Sequence, residues 1–287
     1  MRFKDLPLEE YFDTGHTACP GCAGAIVARL TAKIFGKNAA VYVPASCLIV
    51  YGATYPFTSW KIPHICVAFE NTAAVLSGMK AGYRMIGKGH MNTIGIAGDG
   101  GTADIGLQAL SGAAERNEDL VFICIDNEAY MNTGTQRSGS TPFGALTSTT
   151  PFPGKGEFKK DVPSIVAAHH VPYVSTASVG YIQDFINKLE KIKNIKGFRY
   201  LQVHAPCPPG WKFSSSQTIE VAKRAVDSGM WVLYEIENGA KQITKRAAKR
   251  IPVKDYLMLQ GRFKHLDDKQ LATIQQDIDE KWKNTPS

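Results

Sequence analysis

Two apolar runs that end in chemically loaded turns constrain this chain more than any other feature. Thr93–Ala97 leads into Gly98-Asp99-Gly100-Gly101-Thr102, and Leu120–Ile125 leads into Asp126-Asn127-Glu128-Ala129-Tyr130. A helical pattern, Ile105–Glu115, lies between them, with its start expected near Asp104. The spacing is that of one β-α-β unit, whose parallel strands end at one edge of a sheet and face one crevice. Glycines at a strand-to-helix turn let backbone N–H groups approach phosphate oxygens, and the helix N-terminus adds partial positive charge. Asp99 offers a hard oxygen ligand for Mg²⁺, and Asn127 with the Ala129 carbonyl could complete the set. A single glycine turn would be an ordinary tight turn. The pair brings oxygens from two strand ends to one cation. The stretch GDGGTADIG lacks both the G-x-G-x-x-G spacing and a Walker lysine, so neither nucleotide fingerprint applies.

Further strand-like runs are Val41–Val43, Pro172–Ser175 and Tyr200–His204, and further helix-like segments are Gly24–Phe35, Asn71–Ile86, Val162–His169 and Ile182–Lys193. Short β-rich runs between longer amphipathic stretches predict an α/β fold, a doubly wound and mostly parallel sheet covered on both faces. No repeat of fixed period is present. Thr133–Lys160 is rich in Gly, Ser, Thr and Pro, and a loop that long in a compact domain is usually functional. Pro208-Pro209-Gly210 then breaks the chain. The expected organisation is a domain over 1–207 and a polar, helix-rich C-terminal extension over 208–287 that wraps the core or a neighbouring subunit.

The net charge of +7 is spread along the chain apart from one cluster. Lys241, Lys245 and Lys249 are four apart, as are Arg246 and Arg250; on a helix they would form a positive stripe, either solvated or docking an acidic partner. No RNA-binding or zinc-finger pattern appears, so no nucleic acid is expected. The N-terminus MRFKDLPLEEYF has no apolar core of a signal peptide, and Pro44, Gly52 and Pro56 interrupt the uncharged stretch Ala39–Trp60. A cytoplasmic protein with no membrane span is expected.

Such a setting turns the six cysteines towards metal or catalysis rather than disulfides. Cys66 and Cys124 lie in apolar strand-like runs and read as small buried residues. Cys19, Cys22, Cys47 and Cys207 sit beside Gly, Pro or Ser. Cys19-Pro20-Gly21-Cys22 suits zinc, a redox dithiol or an iron–sulfur cluster, and four thiolates suit either metal by count. A thioredoxin-like site does not fit, because no strand precedes the C-x-x-C. Among the histidines only His16, next to this motif, reads as a site residue. Glu70 and Glu128 read as a first-turn helix carboxylate and a loop residue.

Gly15-His16 ahead of the C-x-x-C, Ser46-Cys47, Ala68-Phe69-Glu70-Asn71, GDGGTADIGLQALSGAAERNEDL, DNEAYMNTGTQRSGSTPFGA, Lys159-Lys160-Asp161, Ala205-Pro206-Cys207 and Leu233–Gly239 occur in this order. Together they resemble the β subunits of pyruvate:ferredoxin oxidoreductases, within the 2-oxoacid:ferredoxin oxidoreductase family, over most of the chain. The resemblance implies a thiamine-diphosphate-binding fold. It implies Cys19, Cys22, Cys47 and Cys207 as ligands of a [4Fe-4S] cluster, and Asp99, Asn127 and the Ala129 carbonyl as ligands of Mg²⁺. It further implies Gly98, Gly100 and Thr102 along the diphosphate, and Gly101, Cys47, Tyr130 and Thr133 in the same cofactor pocket. Asn132 would be the catalytic residue, close to the thiazolium and substrate. The implied reaction is oxidative decarboxylation of a 2-oxo acid, pyruvate first, with coenzyme A as co-substrate and ferredoxin as electron acceptor. The implied partners are an α subunit, which supplies the glutamate that activates the thiamine, and γ and δ subunits. Two departures are small. Cys19 is followed by Pro20 where many relatives carry Ala or Ser, and Cys22 by Ala23 where they carry Gly. Oxalate, 2-oxoisovalerate, aryl 2-oxo acids and 2-oxoglutarate stay open as substrates. A non-redox thiamine decarboxylase and a zinc-stabilised binding module are the readings from other classes.

Overall fold

Strands that are buried from end to end account for the uninterrupted apolar runs. The computed structural model describes residues 1–247 and 249–283. Its strands are β1 Ala39–Pro44, β2 His64–Val67, β3 Asn92–Gly98, β4 Leu120–Asp126, β5 Tyr173–Ser178, β6 Phe198–His204, β7 Leu233–Glu237 and β8 Ala240–Lys245. Every residue of β1, β4, β5 and β6 is buried. They belong to one sheet in the order β2-β1-β3-β4-β6-β5-β7-β8, in which β2 to β5 of that order run parallel. A parallel sheet needs cover on both faces, so its strands alternate apolar with apolar.

The helices are α1 Ala23–Phe35, α2 Cys47–Gly52, α3 Thr72–Met85, α4 Asp99–Ala103, α5 Leu107–Glu115, α6 Val162–Ala167, α7 Ile182–Asn194, α8 Pro208–Trp211, α9 Thr218–Asp227, α10 Val253–Leu257 and α11 Asp268–Lys283. One face of the sheet is covered by α1 and α7 through Val27, Leu30, Phe185 and Leu189. The other is covered by α3, α5 and α6 through Leu76, Leu110 and Val166. The fold is therefore the expected doubly wound α/β arrangement. The chain goes from β1 out to β2 on one side and returns to β3 on the other. The C-terminal ends of β1 and β3 thus flank a topological switch point, where ligands bind in open sheets of this kind.

The region after Cys207 builds its own core from Trp211, Val226, Trp231, Tyr256, Phe263 and Ile274, and it adds two strands to its helices. β7 pairs antiparallel with β5, and β8 with β7. The hairpin signal was present: Asn238 and Gly239 have φ of 49° and 85°, the left-handed pair of a tight type I′ turn. Lys241 and Lys245 therefore lie on an edge strand, and the helical stripe does not form. Their ammonium groups sit over the rings of Tyr234 and Tyr181 at 4.1 and 5.8 Å. Lysines on an edge strand also discourage another strand from adding to it.

Two smaller corrections follow from the same geometry. Cys66 is exposed, because β2 is the opposite edge of the sheet; Cys124, in central β4, is buried as expected. The helix after β3 opens at Asp99 and is interrupted at Asp104, whose backbone (φ −111°, ψ −96°) separates α4 from α5. Among the described residues no helix is long and apolar enough to cross a membrane.

Candidate active site

Three loops leave the C-terminal ends of β1, β3 and β4 and meet at the switch point. Ala45-Ser46-Cys47 follows β1, Gly98-Asp99 ends β3 and opens α4, and Asn127-Glu128-Ala129 follows β4. One end of the Asn127 amide lies 2.9 Å from Asp99 Oδ1 and 2.9 Å from the Ala129 carbonyl oxygen. The sequence-predicted oxygen set is therefore assembled at one point. In that position the amide nitrogen donates to both oxygens, and the amide oxygen, turned there, would face a shared cation. The other Asp99 oxygen, Oδ2, accepts a 2.5 Å hydrogen bond from Ser138 Oγ, a residue of the long loop that sequence reasoning did not single out. Asp99 is 1 % exposed. Burial, reinforced by Asp126, pushes its carboxyl well above the usual carboxylate range. A divalent cation would offset that penalty.

A cavity of about 290 Å³ opens above these groups, and Cys47, Gly98, Gly100, Gly101, Tyr130, Asn132 and Thr133 border it. The glycines have different work. A Cβ on Gly98 would meet nothing within 4 Å, so that position keeps the cavity open. A Cβ on Gly100 would lie 2.3 Å from the Tyr130 ring, and one on Gly101 3.2 Å from the Phe69 ring. Those two glycines let aromatic walls approach the turn. The Tyr130 hydroxyl donates to Asp104 Oδ2 at 2.7 Å, which pins the wall. Thr102 does not border either cavity; it is buried, and its hydroxyl donates to the Gly98 carbonyl at 2.8 Å. It shapes the turn from behind.

The four sequence-predicted cysteines also come together. Cys19, Cys22, Cys47 and Cys207 border one second cavity of about 130 Å³, with apolar walls from Val50, Ile96 and Ile125. Among the described residues no three His, Cys, Asp or Glu side chains are placed to hold a single metal ion. Burial pushes the Cys47 thiol up to about 11, and Cys22 and Cys19 push it further in the same direction. Cys207 is pushed up to about 12, by burial first and then by the other three sulfurs. Cys22, Cys47 and Cys207, each raised by burial first and then by neighbouring sulfurs, stay protonated unless a positive group joins them. The Tyr51 hydroxyl reaches Cys22, and Gly24 leaves the room it needs. His16 is set one residue back from the cavity wall, stacked on Phe12 at 5.5 Å.

The two cavities share a wall made of Ser46, Cys47, Gly98, Asn127 and Asn132. Of the acidic residues considered in sequence, neither Glu70 nor Glu128 borders either space. Glu70 precedes Asn71, the N-cap of α3, instead of lying in its first turn. Glu128 is turned away and buried between Lys159 and Arg262. Burial raises its carboxyl, but the two cations outweigh burial and leave it at about 2. It is a fixed anion, not a proton carrier.

Residues 45–203 match the family of thiamine pyrophosphate enzymes at their C-terminal TPP-binding domain. The chain is 50% identical over 279 residues to a pyruvate synthase subunit PorB of Methanothermobacter marburgensis, covering 96% of each chain. It is 49% identical to the same-named subunit of Methanocaldococcus jannaschii, covering 99% of each. The chain belongs to the 2-oxoacid:ferredoxin oxidoreductase family, as a β subunit. Within that family it is also 44% identical to a ketoisovalerate oxidoreductase subunit VorB of Pyrococcus furiosus, over 96% of this chain and 93% of that one. A solved 2-oxoglutarate:ferredoxin oxidoreductase from Magnetococcus marinus shares the fold at 16% identity, with a TM-score of 0.61 over 95% of this chain and 98% of that one.

Proposed function

We propose that this β subunit binds thiamine diphosphate with Mg²⁺ and one [4Fe-4S] cluster, and that with its partners it oxidatively decarboxylates pyruvate. The products would be acetyl-CoA, CO₂ and reduced ferredoxin, with α, γ and δ subunits as partners in the cytoplasm. The observation that carries the reading is the shared wall: an oxygen set suited to a diphosphate-bound cation stands back to back with four thiols, and Cys47, Asn127 and Asn132 border both spaces.

Each residue has a definable task under this reading. Asp99, Asn127 and the Ala129 carbonyl would hold the cation, since Mg²⁺ favours carboxylate, amide and phosphate oxygens. Gly98 leaves space for the diphosphate, and Tyr130 walls it. Asn132 borders both spaces and could orient a polar substrate group. Cys19, Cys22, Cys47 and Cys207 would hold the cluster; the apolar walls partly cover the last three, while Cys19 lies exposed. Thiamine diphosphate supplies an electron sink for decarboxylation, and the cluster a one-electron acceptor; zinc could not serve in that second role. Among the described residues, Asp99 is the only carboxylate that borders the 290 Å³ cavity. A carboxylate that activates the thiamine from an α subunit closing the site fits this lining. Pyruvate is favoured by the names of the relatives at 50% and 49% identity, over the ketoisovalerate relative at 44%.

The test is reconstitution with the partner subunits, iron and sulfide analysis, and a panel of 2-oxo acids in CoA-dependent viologen reduction. Pyruvate should give the highest kcat/KM. A higher value for a branched-chain acid would overturn the substrate, and zinc in place of iron would overturn the cluster.

A further inference from the structure

The loop that carries two of the three oxygen ligands is held by residues more than eighty positions away in the chain. Glu128, between Asn127 and Ala129, has a φ of 64°, in the left-handed region that a side-chain-bearing residue rarely adopts. This kink lets the Asn127 side chain and the Ala129 carbonyl face one point. Its polar groups are each fixed. The Asn127 carbonyl accepts from Trp211 Nε1 at 2.8 Å. The Glu128 N–H donates to Asp126 Oδ1 at 3.2 Å, and the Glu128 carbonyl accepts from Thr141 Oγ1 at 2.7 Å. The Glu128 carboxylate, 3 % exposed, accepts from Arg262 Nη2 at 2.5 Å and lies 3.2 Å from Lys159 Nζ, which also pairs with Asp126 at 2.6 Å. The Arg262 guanidinium carbon in turn lies over the Trp211 ring, 3.8 Å from its centroid, and its Nε donates to Gln260.

We infer that Arg262 and Trp211 are positioning residues for the divalent cation: the C-terminal region clamps the Glu128 kink and so pre-forms the Asn127–Ala129 half of the site. Arg262 acts through the Glu128 carboxylate, and Trp211 acts on the peptide group of Asn127 itself. Neither touches the cation. The inference rests on the reading that Asp99, Asn127 and Ala129 hold that cation.

The experiment measures Mn²⁺ binding, as a spin probe for Mg²⁺, in the assembled complex with thiamine diphosphate. Variants are Arg262→Met, Arg262→Lys, Trp211→Phe, Glu128→Gln and the Glu128→Gln/Arg262→Met pair, with Asp99→Asn as control. Groups that orient a metal ligand from behind typically change affinity roughly 10–100-fold. Arg262→Met should weaken Mn²⁺ binding by about that factor, with iron content retained, and Arg262→Lys should fall between. Trp211→Phe keeps the ring under Arg262 and removes only the hydrogen bond, so it should weaken Mn²⁺ binding less, without loss of iron. The double variant should lose no more than the worse single one, because both changes break one coupled pair. If Arg262→Met and Trp211→Phe lower only the thermal midpoint while Mn²⁺ affinity stays at wild type, the residues are structural and the inference fails. If Asp99→Asn leaves Mn²⁺ affinity unchanged, the cation assignment itself fails, a result separable from the first.

Discussion

Ser138 and Asp99, thirty-nine positions apart, share a 2.5 Å hydrogen bond in which the hydroxyl donates to the buried carboxylate. The bond occupies Oδ2 and leaves Oδ1 facing Asn127. It ties the long loop after β4 to the turn after β3. Ser138 is itself fixed, its N–H donating to Thr141 Oγ1 at 2.9 Å. Ser138→Ala should therefore let the Asp99 carboxylate rotate and leave one charged oxygen unpaired. Thiamine diphosphate affinity, titrated calorimetrically at saturating Mg²⁺, should fall about tenfold. An unchanged affinity would show that the backbone of α4 alone sets the carboxylate.

The cysteines divide by position. Cys207→Ser or Cys47→Ser should cost the cluster, seen as lost iron, because each borders the small cavity. Cys66→Ser should keep full iron content and stability within about 0.5 kcal/mol, since it is exposed on an edge strand. Cys124→Ser should also keep iron but lower stability by about 1–3 kcal/mol, because it places a hydroxyl in a fully buried strand. Iron near the wild-type level in Cys207→Ser would remove that residue from the ligand set.

These outcomes show where the sequence was readable. The central strands and the two loaded turns were legible because a buried parallel strand leaves a continuous apolar run, and a β-α-β unit has a narrow range of spacing. The gathering of four cysteines was legible only through the family resemblance; spacing alone left zinc open. Cys66 was misjudged because Ile65-Cys66-Val67 reads alike in a central and an edge strand, and strand order is a tertiary property. The β7–β8 hairpin was missed although Asn238-Gly239 announced it, because the lysines around it are also spaced like a helix face. Ser138, Trp211 and Arg262 could not be found from sequence. Each acts through a contact made only when distant loops meet, and no local pattern records that.

His204 should shape the acid side of the stability profile. It ends β6, wholly buried, with the rings of Trp231, Trp211 and Tyr256 centred 4.9, 5.5 and 6.4 Å away. Its Nε2 lies 3.3 Å from the Tyr256 hydroxyl. Burial holds the imidazole down to about 3, from a usual 6.5; Glu128 opposes that shift, while Lys159 and Arg262 add to it. The folded protein thus keeps His204 neutral, while the unfolded chain takes up a proton below its ordinary value. The contribution to stability is whole above about pH 6.5 and is lost as pH falls towards 3, at up to about 1.4 kcal/mol per pH unit. Thermal midpoints of wild type should therefore drop more between pH 7 and 5 than those of His204→Phe, and parallel profiles would assign the acid loss to other groups.

Gly98 and Gly100, two positions apart, should respond to the same substitution in opposite ways. Gly98 has an extended backbone (φ −74°, ψ 167°) that any residue adopts, and its absent Cβ faces open space. Gly98→Ala should leave the thermal midpoint of the cofactor-free chain near wild type, yet place a methyl group where both cavities meet and weaken thiamine diphosphate binding. At Gly100 the new Cβ would lie 2.3 Å from Tyr130 Cε1 and 2.6 Å from Cδ1, and the Tyr130 hydroxyl is anchored on Asp104. Overpacking of this kind costs about 1–3 kcal/mol, so Gly100→Ala should lower the midpoint before any cofactor is added. Adding Tyr130→Ala to Gly100→Ala should recover part of that loss, because it removes the ring that collides. Calorimetric unfolding of the three variants, with and without thiamine diphosphate and Mg²⁺, separates the two effects. A midpoint lowered by Gly98→Ala in the cofactor-free chain would mean that this glycine serves packing rather than the space for the diphosphate.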